Sequence, residues 1–179
     1  MKNNLILIAF FLTSLFVTSQ DLPQLKLTKS GVESIIVEAP GIKASELYSK
    51  SLNWVEETYR DPKEVLKAKI VGKKIRINGT VKNAWSWKVM GSKVFYTINY
   101  SVDISFKDGK YKIDYVINDF YNEGVKWNIY RRFYKRNGMP KRSYNYNKAF
   151  KDVDETMNNL SKSFYNYVTG ETENTEGNW

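Results

Sequence analysis

The stretch FKDGKYKIDY, residues 106–115, decides the fold. Apolar and polar residues alternate on both sides of Asp108-Gly109, as they do in two half-buried strands joined by a tight turn. Asp-Gly favours a two-residue type I′ turn, and a loop of that length fixes which residues lie opposite each other. The sequence therefore predicts a hairpin with one apolar face. Its expected opposite pairs are Phe106 with Tyr111, Ile104 with Ile113, Val102 with Tyr115 and Tyr100 with Ile117.

Two further Gly-X steps, Gly72-Lys73 and Gly91-Ser92, extend the pattern towards the N-terminus, because Gly-X favours a two-residue type II′ turn. The turn at Gly91-Ser92 predicts the opposite pairs Val89 with Val94, Trp87 with Tyr96 and Trp85 with Ile98. The turn at Gly72-Lys73 predicts Ile70 with Ile75 and Ala68 with Ile77. All these side chains fall on the same face as the first hairpin. The sequence predicts a four-stranded antiparallel meander over residues 65–71, 74–89, 94–107 and 110–120.

One helix is predicted before the sheet in the sequence, and a second helix is predicted after it. Apolar residues recur at helical spacing over residues 43–59 and 150–168, with Gly170 as the expected end of the second helix. One or two strands are expected before Pro40-Gly41, a short strand at 125–129, and a loop at 136–147. We predict an α+β fold: an antiparallel meander sheet of four to six strands with two helices packed on one face.

The first 19 residues resemble a secretory signal. Lys2 precedes the apolar run LILIAFFLTSLFV at residues 5–17, and Val17 and Ser19 occupy the small-residue cleavage positions. A membrane anchor is the alternative, but the run is shorter than the ~20 residues of a spanning helix. We expect cleavage near Ser19, a periplasmic or secreted protein with no membrane span in the mature chain, one domain over residues 20–169, and a disordered tail at 170–179.

The sequence contains no cysteine and no histidine. Their absence removes the usual zinc, haem and copper ligands, the Ser-His and Cys-His nucleophile systems, and lipid attachment through a cysteine. We expect no cofactor and no metal site. Any catalysis would depend on Asp, Glu, Lys, Ser or Tyr.

Positive charge is concentrated between residues 126 and 142. The chain carries a net charge of +9, and this segment has no acidic residue. It contains Lys126, Arg131, Arg132, Lys135, Arg136, Lys141 and Arg142. An anionic surface, an anionic glycan or an acidic protein is the expected partner; export argues against nucleic acid. A solvated loop is the alternative.

Two other groups of residues are candidate sites. The aromatic residues Trp85, Trp87, Tyr96 and Tyr121 gather at one end of the predicted sheet, either as ligand anchors or covered by the C-terminal helix. Asp103 faces Asp114 on the polar face, where two carboxylates could share a proton or hold a cation. The alternative is that Lys112 and Ser105 neutralise the pair.

Several short motifs together resemble an exported Bacteroidetes family of unknown function with a TBP-like fold. They are Val37 with Pro40-Gly41, Ala44, Leu47-Tyr48, Trp54, IRING at residues 75–79 and FKDGKY at residues 106–111. The resemblance covers about residues 33–120 and implies a β-α-β-β-β-β-α arrangement, a signal peptide and no established activity. We expect a non-enzymatic binding module that uses the open polar sheet face, the basic segment, or both. A carboxylate-dependent hydrolase is the alternative.

Overall fold

A computed structural model of the chain describes residues 22–171. The predicted signal at 1–19 and the predicted tail beyond Glu171 lie outside these residues. The helices are α1 (Ala44–Thr58), α2 (Pro62–Val65), α3 (Ile129–Phe133) and α4 (Tyr144–Thr169). The strands are β1 (Leu27–Thr28), β2 (Gly31–Val32), β3 (Ile35–Glu38), β4 (Leu66–Ile70), β5 (Lys74–Val89), β6 (Ser92–Lys107), β7 (Lys110–Asn122) and β8 (Val125–Trp127).

A six-stranded antiparallel sheet carries the fold, in the order β3-β7-β6-β5-β4, with β8 also paired to β7. Helices α1 and α4 cover its apolar inner face. Trp54 of α1 meets Phe164 of α4 at 5.1 Å between ring centroids, and Phe164 meets Tyr111 of β7 at 4.9 Å. The predicted α+β meander with two helices on one face is therefore confirmed.

The β6–β7 hairpin has the predicted register, with Phe106 opposite Tyr111 and Ile104 opposite Ile113. Its turn differs from the prediction. Only Gly109 has a positive φ, of 74°, whereas a type I′ turn needs two. The Asp108 carboxylate accepts a hydrogen bond from the Ala44 N–H at 2.8 Å. It thereby caps α1, whose own N-cap residue makes no side-chain capping bond.

The predicted β5–β6 register was wrong. The central residues of the turn are Met90 and Gly91, with φ of 48° and 87°, so Trp87 lies opposite Val94 and Trp85 opposite Tyr96. A bulge between Val81 and Trp85 shifts the register again. Methionine is not a usual turn residue, which is why the sequence pattern misplaced the loop. The misplaced turn and the bulge each change the pairing register by an even number of residues, so the apolar side chains stay on the inner face of the sheet.

The predicted register of β4 was also wrong. The β4–β5 loop has three residues, 71–73, so Ile70 lies opposite Lys74 and Ala68 opposite Arg76. This shift is odd, and it moves Ala68 and Ile70 to the outer face. A bulge before Ala68 leaves Leu66 opposite Ile77, on the inner face. The side chain of Ile70 is 55% exposed.

Two elements near the C-terminus differ from the prediction. The segment predicted as a loop at 136–147 ends in helix, because Ser143 caps α4 by accepting the Tyr146 N–H at 3.3 Å. The strand predicted to reach Ile129 ends at Trp127, and helix α3 begins at Ile129. The Asn128 side chain caps this helix by accepting a hydrogen bond from the Arg131 N–H at 3.1 Å. Gly170, with φ of 78°, ends α4 as predicted.

Candidate functional site

Trp85 and Tyr96, two of the candidate anchors, lie in the core. Their side chains are 1% and 6% exposed, and their rings stack at 4.0 Å with an interplanar angle of 9°. Phe120 and Phe133 close over Trp85 at 5.1 and 5.3 Å. Neither residue presents a ring face to solvent, so neither can anchor a ligand at the surface.

Trp87, by contrast, is half-buried and belongs to an aromatic–arginine cluster. The Arg132 guanidinium carbon lies 5.1 Å from the Trp87 ring centroid and 5.5 Å from that of Trp127. Trp127 is 37% exposed. Cation–π contacts of this kind attract a guanidinium to the faces of the aromatic rings. Trp127 was absent from the predicted site because the sequence pattern did not show which strand β8 would join.

The basic segment is anchored to the core rather than loosely attached. Ile129 and Phe133, on the buried side of α3, are 1% and 0% exposed. The chain then turns back, with the Lys135 N–H donating to the Met139 carbonyl at 2.9 Å. The anchoring holds four cations at the surface. These exposed residues are Arg131, Arg132, Lys135 and Arg136.

None of these four cations forms an ion pair within residues 22–171. Lys126, at the start of the segment, is different: its amine lies 3.7 Å from the Asp119 carboxylate. Tyr121, the remaining aromatic candidate, is half-buried opposite Lys126 in the β7–β8 pair. It lines a separate open groove of about 390 Å³ with Lys93 and Phe95.

Asp103 and Asp114 lie opposite each other on the outer sheet face, as predicted. The Arg76 guanidinium donates two hydrogen bonds to Asp103, at 2.6 and 2.7 Å. The Lys74 amine lies 2.5 Å from the same carboxylate. Arg76 and then Lys74 hold the pKa of Asp103 below its usual value, against the effect of burial. The residue is thus ionised at neutral pH and unsuited to act as an acid.

Asp114 has its own partners. Lys112 contacts it at 2.7 Å, and the Ser34 hydroxyl donates to it. Burial acts to raise the pKa of Asp114, but the bonds from Lys112 and Ser34 outweigh burial, so its pKa is lowered. The expected neutralisation by Lys112 is confirmed, while Ser34 and the cations of β5 take the role expected of Ser105.

A polar groove of about 290 Å³ runs between the bulge of β5 and α4. Asp152 on its wall accepts a bond from the Ser86 N–H at 3.4 Å and pairs with Lys148. The Ser86 bond joins the helix to the strand, whereas the pair with Lys148 lies within α4. Within residues 22–171, no three acidic side chains meet as a metal site would require. That same stretch has no helix long and apolar enough to cross a bilayer.

Residues 34–121 match a family model described as a domain of unknown function (DUF4468) with TBP-like fold. Over these residues the chain is similar to this family. The resemblance seen in the sequence over residues 33–120 is thereby confirmed. The family description gives no activity or ligand for the DUF4468 domain. None of the curated proteins matches the chain.

Solved structures support the same fold. A DUF4468 family protein from Bacteroides ovatus is 14% identical, with a TM-score of 0.57 over 81% of this chain and 89% of its own. A TBP-like protein from Parabacteroides distasonis is also 14% identical, with a TM-score of 0.59 over 79% of this chain and 93% of its own. At this identity the likeness concerns the fold alone, and function has to be argued from the surface.

Proposed function

We propose that this protein is an exported, non-enzymatic binding module whose basic segment, residues 126–142, binds an anionic partner. The observation that supports this most directly is the anchored, unpaired charge on and after α3. Arg131, Arg132, Lys135 and Arg136 are held at the surface by the buried side of α3, without acidic partners in residues 22–171. Fixed positive charge without internal compensation attracts anions and speeds their encounter.

Arg132 supplies the best-ordered contact of this surface. Trp87 and Trp127 pack against its guanidinium, which restricts the side chain before any ligand arrives. The guanidinium is planar, and its N–H groups match the paired oxygens of a carboxylate, sulfate or phosphate. Restricting the arginine in advance lowers the entropy lost on binding.

The outer sheet face is the weaker candidate for the same function. Its main charges already satisfy one another, since Asp103 binds Arg76 and Lys74, and Asp114 binds Lys112. An anionic partner would have to displace these carboxylates. The paired state of both aspartates also gives the hydrolase alternative no free acid or base.

Binding to dextran sulfate, with neutral dextran for comparison, tests the proposal. We expect the protein to bind only the sulfated polymer, with affinity that falls as salt rises. Replacing Arg131, Lys135 and Arg136 with serine should weaken binding by about ten-fold or more. A control of equal charge replaces three exposed lysines near β4, Lys63, Lys69 and Lys73, and should bind almost as the unaltered protein does. Equal losses in both triple variants would reduce the effect to net charge and contradict the proposed site.

Export is tested separately, by fractionating cells that express the full chain and measuring the intact mass of the product. Cleavage near Ser19 gives a periplasmic or secreted protein that lacks residues 1–19. A full-length product retained in the cell would contradict this part of the proposal.

A further inference from the structure

The β5–β6 hairpin ends in an exposed apolar tip. Val89 is 47% exposed and Met90, the first central residue of the turn, is 102% exposed. Within residues 22–171 no element covers the Met90 side chain, and about half of Val89 remains exposed. Adjacent apolar side chains exposed at the end of a hairpin are unfavourable in water, and an apolar patch with a polar rim marks a surface that a partner or a membrane covers.

Two lysines flank this tip, on neighbouring strands. Lys88 lies directly opposite Lys93 in the β5–β6 pair, and neither forms an ion pair within residues 22–171. Like charges opposite each other on adjacent strands repel. An anionic partner at the tip would relieve that repulsion.

The hairpin tip and the basic segment lie at the same end of the molecule. The Asn145 side chain at the start of α4 donates to the Lys88 carbonyl at 3.0 Å. Next to it, the Tyr146 ring packs on Trp87 at 4.7 Å, and the Lys141 amine lies 5.7 Å from the Tyr146 centroid. Trp87 in turn contacts Arg132. The contacts form a continuous path from the tip to the basic segment.

Two amphipathic aromatic residues complete this end. Tyr144 is 75% exposed and Trp127 is 37% exposed. Acids on neighbouring elements are largely engaged: Asp119 faces Lys126 at 3.7 Å, and Asp152 pairs with Lys148. Glu123, on the β7–β8 turn, is an exposed acid without an ion pair in the described chain. We name this surface the tip patch: Lys88, Val89, Met90, Lys93, Trp127 and Tyr144.

We propose that the tip patch and the basic segment dock the protein on an anionic lipid bilayer. Val89 and Met90 enter the interface, Trp127 and Tyr144 lie at headgroup depth, and the surrounding lysines and arginines contact lipid phosphates. The lipid inference rests on the proposed function, because it names the anionic partner. Lipid is favoured because a bilayer offers apolar volume to Met90 directly beside anionic groups. A glycan or a highly charged polymer offers only the charge.

Co-sedimentation with vesicles tests this proposal, with protein that begins at Gln20. The apolar run at residues 5–17 would itself bind lipid, and the shorter chain retains every core residue that the structure describes within residues 22–171. Vesicles of phosphatidylcholine alone are compared with vesicles that also contain phosphatidylglycerol. Met90→Asn is the principal variant, because asparagine suits the positive φ of this turn and removes the apolar side chain.

We expect binding only to the phosphatidylglycerol vesicles. Met90→Asn should weaken it about five- to ten-fold, and the triple variant of Arg131, Lys135 and Arg136 should weaken it further. The control is Val71→Asn, which replaces an apolar residue 82% exposed at the opposite end of β5 and should leave vesicle binding unchanged. Circular dichroism confirms that each variant is folded.

The remaining outcomes overturn the lipid inference in distinguishable ways. Binding that depends on the basic segment but not on Met90 means adsorption by charge without insertion, and the proposed function survives. Retention on dextran sulfate with no binding to either vesicle type points to a glycan or an acidic protein instead. Failure to bind either probe contradicts both the lipid inference and the proposed function.

Discussion

Asp103 and Asp114 lie directly opposite each other on β6 and β7, yet the pKa of each is lowered rather than raised. Each carboxylate has separate partners: Arg76 and Lys74 on one side of the pair, Lys112 and Ser34 on the other. The repulsion between the two aspartates is therefore outweighed by four local contacts.

Replacing Asp103 with asparagine should lower the melting temperature by a few degrees at neutral pH, because it breaks the bidentate bond with Arg76. A lowered pKa in the folded state means that the ionised carboxylate stabilises the protein above the unfolded pKa of about 3.9. This contribution is lost as pH falls through the lower folded value. The difference between variant and parent in thermal denaturation should therefore shrink below about pH 4.

Asp114→Asn serves as the comparison for Asp103→Asn, and we expect it to cost less because it loses a lysine and a serine rather than a bidentate arginine. If both replacements raised the melting temperature at neutral pH, repulsion between the carboxylates would dominate. The ion-paired description of this face would then be contradicted.

Met90→Asn should stabilise the protein by about 0.5–1 kcal/mol, since methionine at φ 48° occupies a left-handed conformation that asparagine tolerates better. Urea denaturation measures the change. Met90→Ala removes the same side chain without improving the backbone preference, and it should give no such gain. Glu123, with φ of 48° before Gly124 at 82°, offers a matched position. Equal stability of the asparagine and alanine variants at Met90 would argue against strain in the turn.

Gly79→Ala should destabilise the protein by about 1–3 kcal/mol. A Cβ at this position would lie 2.4 Å from both Cζ and Oη of Tyr100. The buried Tyr100 ring cannot move freely, because its hydroxyl bonds that of Tyr59 at 2.7 Å and its ring stacks on Tyr115 at 5.1 Å. Thermal denaturation measures the loss.

A double variant tests whether Tyr100 causes that loss. Tyr100→Leu in the Gly79→Ala background should cost less than the sum of the two single changes, since the clash is removed. Additive costs would place the effect of Gly79→Ala elsewhere in the strand.

Asp108→Ala should destabilise the protein by about 1 kcal/mol, because it removes the cap of the Ala44 N–H at the start of α1. Asp108→Asn retains an acceptor and should recover most of the stability. Hydrogen exchange of the first turn of α1 should increase in the alanine variant and stay near the parent value in the asparagine variant. Unchanged exchange in both would mean that the cap contributes little.

Turn residues and apolar alternation in the sequence were sufficient to predict the strands and faces that they define directly. The β6–β7 register follows from the loop at Asp108-Gly109, and the face assignment of β5 survived a misplaced turn because the error was even. The β4 register failed because a three-residue loop at 71–73 resembles a two-residue one. Helix α3 is a single short turn stabilised by the Asn128 cap and two buried side chains, too little for periodicity to reveal.

The candidate site was less predictable than the fold. The run of basic residues indicated Arg131 and Arg132 as candidates. The contact of Arg132 with Trp87 and Trp127, however, depends on three elements meeting in space. Burial of Trp85 likewise depends on Phe133 of α3, an element that the sequence did not indicate. The exposure of Met90 follows from a turn centred on Met90-Gly91, which the Gly91-Ser92 pattern does not indicate.

The bulge in β5 has a consequence for length variation in this strand. Three residues, 82–84, stand where β6 supplies only Thr97, since Val81 faces Ile98 and Trp85 faces Tyr96. The strand β5 thus has two more residues than β6 at this point. Because side chains alternate between faces, an even surplus leaves the inward-facing residues of β5 facing inward. Relatives can therefore gain or lose residues here in pairs without rebuilding the core. A single insertion would turn Trp85 towards solvent, so natural length differences at this point should be even.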